Sequence, residues 1–323
     1  MEKLRVGMIG TGGISHWHCR QLLELNDEVE IVALADPNEQ SLATVTDKFA
    51  LENALRFSDY QALLDNARPD AVVICTPHTL HAKHMMDSLA HGCHVLVEKP
   101  MTESTSQADA LIAAAKTAGK VMQVSYQRHF QPEFHYIRQA VNDGVIGPLT
   151  SVTASLYQEW IRLSQGTWRQ DPALSGGGFL MDSGSHIVDV LLWITGLEPQ
   201  TVRTTLSRRG TPVEIDSFTS IEFAGGVTCG LNLVGSAPHW HETYAFCGER
   251  GAIFYDDGKI TVRRFKEEPF APQLPPQTTN QDKSFVDAIA GRHDVLVPGT
   301  FARRVVHLTE MIYRAAGYSA LSP

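Results

Sequence analysis

The chain has 323 residues, 43% of them hydrophobic, and its acidic side chains outnumber its basic ones to give a formal net charge of −9. That hydrophobic content supports packed cores and excludes a disordered chain, and at ~150 residues per domain the length suggests two domains. The acidic balance excludes a general nucleic-acid binder, and the longest apolar run, Ile187 to Ile194, is broken by Asp189 and falls short of the ~20 residues that cross a bilayer.

The N-terminus moves straight into a strand pattern, Leu4 to Ile9, without an apolar leader, so a cytoplasmic protein is expected. The strand runs into Gly10-Thr11-Gly12-Gly13, and Ser15 to Leu25 follows with helical spacing. A second strand, Val29 to Ala35, ends at Asp36-Pro37, and Ser41 to Phe49 resumes a helix. Ala71 to Thr76 is apolar and stops at Pro77, Leu80 to Ala90 is helical, and Val95 to Val97 ends at Glu98-Lys99-Pro100. A helix from Ser106 to Ala118 then leads to the strand Val121 to Val124. Strands apolar throughout are buried on both faces, so these βαβ units predict a parallel, doubly wound α/β sheet ending near Val124. The expected division is 1–124 and 125–323.

Beyond it the pattern changes. Val227, Cys229, Leu231 and Leu233 alternate with polar residues, as a strand with one buried face does. Ser151 to Tyr157, Val202 to Ser207, Ser217 to Phe223 and Ala252 to Tyr255 are further strands, with hairpin turns such as Ala224-Gly225-Gly226 and Asp256-Asp257-Gly258. Helices are expected at Glu133 to Asn142, around Gly178 to Thr195, and at Phe301 to Ala316, giving an α+β domain with a mainly antiparallel open sheet. Five scattered cysteines without a CxxC pair read as buried thiols.

Gly10-Thr-Gly12-Gly13-Ile14-Ser15 nearly matches the dinucleotide fingerprint, in which glycines let backbone N–H groups approach a pyrophosphate at a helix N-terminus. Ser15 stands where a third glycine is usual. Asp36, 21 residues after Ser15, can accept hydrogen bonds from ribose hydroxyls and would repel a 2′-phosphate, and no arginine follows it. NAD is therefore expected rather than NADP.

Lys99 ends a buried strand on the side where doubly wound sheets bind ligands, so it is expected to meet substrate. Gly176-Gly177-Gly178 reads as a close approach of the chain to a ligand. With Gly178 to Thr195 as a helix, Asp182, His186, Asp189 and Trp193 share one face. Histidine titrates in the range useful for taking a hydroxyl proton, which suits His186; Asp182 could orient it or bind a second hydroxyl, and Lys99 could stabilise developing negative charge. Asp182 and His186 could instead chelate a metal, but no third ligand is compelling and none is expected. The pairs His16/His18, His81/His84 and His239/His241 match no metal motif, and most of these residues are expected at the surface or in loops.

Taken together, Gly10-Thr-Gly-Gly13, Asp36, Cys75-Thr76-Pro77, Glu98-Lys99-Pro100 and Gly176-Gly-Gly178…Asp182-x-Gly184-x-His186 resemble the Gfo/Idh/MocA family of glucose–fructose oxidoreductase and inositol dehydrogenase. The resemblance covers essentially the whole chain. It implies a Rossmann domain followed by a domain whose open sheet commonly builds homodimers or homotetramers, and hydride transfer between a nicotinamide and hydroxyls of sugars, polyols or inositols. It implies Lys99, Asp182 and His186 as a catalytic trio. Cofactor contacts are implied at Gly10, Thr11, Gly12, Gly13, Ile14, Asp36, Thr76, Pro77, His81, Glu98, Lys99 and Gln127. Tyr126, Arg128, Trp160, Arg162, Trp168 and Arg169 are expected to reach substrate with Lys99, Asp182 and His186, and Asp171 lies in the same loop. Rival readings are an NADP-dependent keto-sugar reductase, a hydrolase or epimerase with retained NAD, and a non-catalytic dinucleotide sensor.

Overall fold

The computed structural model describes residues 2–318. The chain divides into two compact units, residues 1–127 with 279–303, and residues 128–278 with 304–323.

In the first unit, β1 (Leu4–Ile9), α1 (Ser15–Leu23), β2 (Val29–Ala35), α2 (Glu39–Phe49), β3 (Leu55–Phe57), α3 (Tyr60–Ala67), β4 (Ala71–Ile74), α4 (His81–Ala90), β5 (His94–Glu98), α5 (Thr105–Ala118) and β6 (Met122–Ser125) alternate along the chain. All strand pairs are parallel, in the order β3-β2-β1-β4-β5-β6. Every residue of β4 and β6 is buried, as a sheet covered on both faces requires. Local chemistry sets the helix ends. Asn38 and Asp59 accept from Ser41 N and Ala62 N, Ser104 and Gln107 form a reciprocal capping box, and Gly119 stops α5 in the left-handed region at φ 63°. The sequence reading passed over β3 and α3, because a three-residue, largely exposed strand gives almost no hydrophobic period.

The second unit contains α6 (Pro132–Asn142), β7 (Leu149–Tyr157), the single turns α7 (Trp160–Leu163) and α8 (Pro172–Ser175), α9 (Gly184–Thr195), and strands β8 (Pro199–Ser207), β9 (Asp216–Phe223), β10 (Thr228–Val234), β11 (His241–Gly248), β12 (Gly251–Asp256) and β13 (Lys259–Arg264). The sheet order is β13-β12-β11-β7-β10-β9-β8, and only β7 with β10 is parallel. Side chains of β9 and β11 alternate between core and outer face. Helix α9, with a sequence apolar nearly all round, lies buried against α6 and β7.

Two more helices follow, α10 (Gln281–Ile289) and α11 (Gly299–Ala315). Here the structure differs from the single boundary expected at Val124. Phe285 and Val286 of α10 sit in the same buried cluster as Val6, Met8, Cys19 and Leu22, and Val124 N donates to Val297 O, so this segment belongs to the first unit. Phe285, Val286, Ala288 and Ile289 in an otherwise polar stretch are too short a run to mark which core they join. Cys19, Cys75, Cys93 and Cys229 are buried thiols and Cys247 is partly exposed. Among the described residues no helix is long and apolar enough to cross a membrane.

Candidate cofactor cradle and catalytic residues

In the first unit the candidate residues lie at the carboxyl ends of β1, β2, β4 and β5, on either side of the point where strand order reverses between β1 and β4. Gly10 has φ 91°, and a Cβ there would come within 2.8 Å of the Cys75 carbonyl, so the turn needs glycine for its own packing. Gly12 and Gly13 are different. A Cβ on either would meet nothing within 4 Å, so packing within the protein does not require glycine there. The turn opens α1, whose first turn carries no acidic residue and no side-chain cap, so its end of the helix dipole is not offset by a side chain of its own. Ser15, in the third glycine position, donates its hydroxyl to Gly12 O at 2.7 Å and closes the turn.

Asp36 is fastened to this turn: Oδ2 accepts from Thr11 N (2.8 Å) and Thr11 Oγ1 (3.1 Å), and Oδ1 accepts from Asn38 N (2.8 Å). Each carboxylate oxygen has lone-pair capacity beyond these bonds. His81, fully buried, has Nδ1 2.7 Å from Pro100 O and Nε2 2.9 Å from Thr76 O, which ties together the loops after β4 and β5. The Thr76 hydroxyl lies 3.0 Å from His84 Nδ1, and burial lowers the pKa of His84 to about 4. His18, His81 and His84 are thus interior residues, against the surface or loop position expected for most of the paired histidines. The Lys99-Pro100 bond is cis. The Glu98 carboxylate is occupied by His18 Nε2 at 3.1 Å and by Lys99 N at 3.2 Å.

In the second unit the structure breaks up the expected polar stripe. Residues 179–183 form turns, so Asp182 precedes α9 and only His186 lies in its first turn. The buried Asp182 Oδ2 accepts from Trp160 Nε1 (2.8 Å) and Arg169 Nε (3.0 Å), which brings three predicted residues together. Arg169 also lies over the Trp168 ring at 4.6 Å. Arg162 is exposed and paired with Glu159; both line a cleft of about 560 Å³ with Gln165, Gln170 and Thr211. Asp189 and Trp193 go elsewhere: Asp189 Oδ1 holds His129 Nε2 at 2.7 Å, and His129 stacks on Trp193. Arg128 is buried, bonded to Glu242 at 2.5 Å and to Gln131, and Tyr126 is fully buried.

The glycine triplet has a reason the sequence reading did not contain. A Cβ on Gly178 would lie 1.9 Å from Glu214 O, and one on Gly177 would lie 2.2 Å from Tyr313 Oη. The partner in this close approach is therefore the protein's own chain, not a ligand. The Glu214 carboxylate accepts from Gly178 N (2.7 Å), Leu180 N (3.0 Å) and Tyr313 Oη (3.0 Å), and its burial pushes its pKa up. Nothing local in the sequence marks Glu214, 36 residues downstream of Gly178. Among the described residues, one group of three ligand-type side chains, His241, Asp256 and Asp257, occurs at a strand end.

Residues 4–126 match the family model described as "Oxidoreductase family, NAD-binding Rossmann fold", and residues 134–254 match the GFO/IDH/MocA C-terminal domain. D-glucoside 3-dehydrogenase of Escherichia coli is 31% identical over 60% of this chain and 54% of its own length, so the match spans about half of that relative. scyllo-Inositol 2-dehydrogenase (NAD(+)) of Bacillus subtilis is 24% identical over 78% of this chain and 74% of its own. The crystal structure of aldose-aldose oxidoreductase from Caulobacter crescentus shares the fold with a TM-score of 0.85, at 24% identity over 98% of each chain.

Proposed function

The chain belongs to the Gfo/Idh/MocA family of oxidoreductases, and from that membership we propose that it is an NAD-dependent dehydrogenase acting on a hydroxyl carbon of a sugar, sugar derivative or cyclitol. One observation carries the cofactor half of this reading: Gly12 and Gly13 keep space that the protein does not fill, beside Asp36 held against the same turn. In this reading the backbone of Gly12 to Ile14 holds the pyrophosphate and Asp36 takes ribose hydroxyls. Its negative charge disfavours a 2′-phosphate, and Pro37-Asn38-Glu39 offers no cation to offset it.

When bound, the nicotinamide supplies the hydride acceptor. His186 takes the hydroxyl proton, Lys99 stabilises negative charge on that oxygen, and Asp182 binds a neighbouring hydroxyl. These roles rest on the motif resemblance and on the chemistry of the side chains. Trp160 and Arg169 support the part given to Asp182, since both bond its carboxylate. The Arg169 bond is charge-assisted and fixes how that carboxylate is presented. The relatives named above support a polyhydroxylated ring as substrate.

The test is absorbance at 340 nm with purified protein and NAD or NADP in parallel, across inositols, aldoses, glycosides, sugar acids and anhydrosugars. Reduction of NAD by one ring class is expected. Reduction of NADP in preference to NAD would overturn the Asp36 reading, and silence with NAD released on denaturation would replace net oxidation by redox-neutral chemistry on a retained cofactor.

A further inference from the structure

A second constellation in the first unit has no part in the reading above. His18, the fourth residue of α1, is completely buried with a carboxylate at each ring nitrogen: Asp282 Oδ1 of α10 is 2.8 Å from Nδ1, and Glu98 Oε1 at the end of β5 is 3.1 Å from Nε2. With both carboxylates ionised a neutral imidazole would set a lone pair against one of them and the imidazolium satisfies both, while burial pushes the Asp282 carboxyl up. Desolvation opposes the imidazolium charge, but the charges and hydrogen bonds of Asp282 and Glu98 outweigh it and raise the pKa to about 10. The arrangement is specific at both ends. With its amide nitrogen turned toward α10, Gln21 donates to Asp282 Oδ2 at 2.7 Å, and Glu98 gives its second oxygen to the backbone N–H of Lys99 at 3.2 Å. Cys19 and Cys75 stand near these carboxylates as neutral thiols, with burial pushing both pKa values up.

Joining three elements does not itself require buried charge, since apolar side chains of similar volume commonly stabilise as well or better. What a charged clamp adds is a fixed position for its last member. We propose that His18 is a positioning residue for this reaction: held by Asp282, it fixes the Glu98 carboxylate beneath the Lys99 peptide and so sets how Lys99 leaves the end of β5. The inference rests on Lys99 being a substrate-contacting residue.

The experiment compares the full chain with His18→Gln and Asp282→Asn. Each lysine is labelled with trace acetic anhydride, quantified by mass spectrometry and normalised to Lys48, Lys83 and Lys116. NAD titration and thermal melts are run alongside. His18→Gln is expected to change relative Lys99 reactivity about threefold or more, since acylation follows the surroundings of the amine. It should lower kcat more than it raises KM and keep NAD affinity within about twofold, since only the Lys99 end is displaced. Asp282→Asn, which keeps the ring, should shift Lys99 in the same direction by less. Unchanged Lys99 reactivity in the folded variants overturns the proposal. So does failure of both variants to fold, which would make the clamp a folding element. If Lys99→Ala keeps turnover while His18→Gln still shifts labelling, the role given to Lys99 fails and the tie to His18 stands.

Discussion

Two glycine-rich segments look alike in the sequence and differ in why they contain glycine. Around Gly12 and Gly13 the protein leaves space, and a methyl group there would touch nothing of its own. Around Gly177 and Gly178 the protein has filled the space, with the Glu214 backbone and the Tyr313 hydroxyl inside the distance a Cβ would need. A run of glycine reports that something comes close. Whether that is a ligand or the protein's own backbone depends on long-range packing, and at Gly177 and Gly178 it is the protein's own chain.

The largest effect that separates the two is on stability. Gly178→Ala must displace backbone, not a flexible side-chain tip, so a loss of about 3 kcal/mol or more is expected, at the upper end of overpacking penalties. Urea denaturation measures it, and a loss below about 1 kcal/mol would show that the second segment has slack. The chemistry expected just after that segment gives the next effect. His186→Ala should lower turnover about 10²-fold, while NAD affinity, assigned to the first segment, stays near that of the unchanged protein. Equal turnover would remove His186 from the reaction. Gly12→Ala should do the reverse, weakening NAD binding about tenfold, ~1.4 kcal/mol, while the urea midpoint hardly moves. A clear loss of stability with unchanged NAD affinity would put Gly12 in the same class as Gly178.

The difference between the segments also explains what the sequence could show. The parallel sheet was legible because β1, β4 and β5 are short apolar runs between turn residues, and the sheet of the second unit because β9 and β10 alternate. The cradle was legible because its glycines, Ser15 and Asp36 fall within 27 consecutive positions at fixed spacing. Glu214 and Asp282 were not, since their partners lie 36 and 264 residues away, and a distant carboxylate leaves no local mark. Asp182 shows the intermediate case. Its candidacy came from its neighbours Gly184 and His186, but its place on the α9 face could not be read there, because residues 179–183 turn before the helix begins.

The smallest effect concerns the buried titratable groups behind the two segments. Glu214 supports Gly178 and its pKa is raised by burial, while His18, one turn beyond Gly13, is raised to about 10 from 6.5. For His18 the folded form binds its proton more tightly than the unfolded form. Its stabilisation is therefore complete below pH 6.5 and is lost as pH rises toward about 10. Glu214 has the same sign, but its loss begins lower, near the ordinary carboxylate pKa of 4.5. Urea midpoints between pH 6.5 and 9.5 should therefore fall in the unchanged protein, with His18 adding no more than about 1.4 kcal/mol per pH unit, the limit for one proton. In His18→Gln that part of the slope should vanish. A slope that survives the substitution would assign the alkaline loss to other groups and leave the first segment without a protonated support.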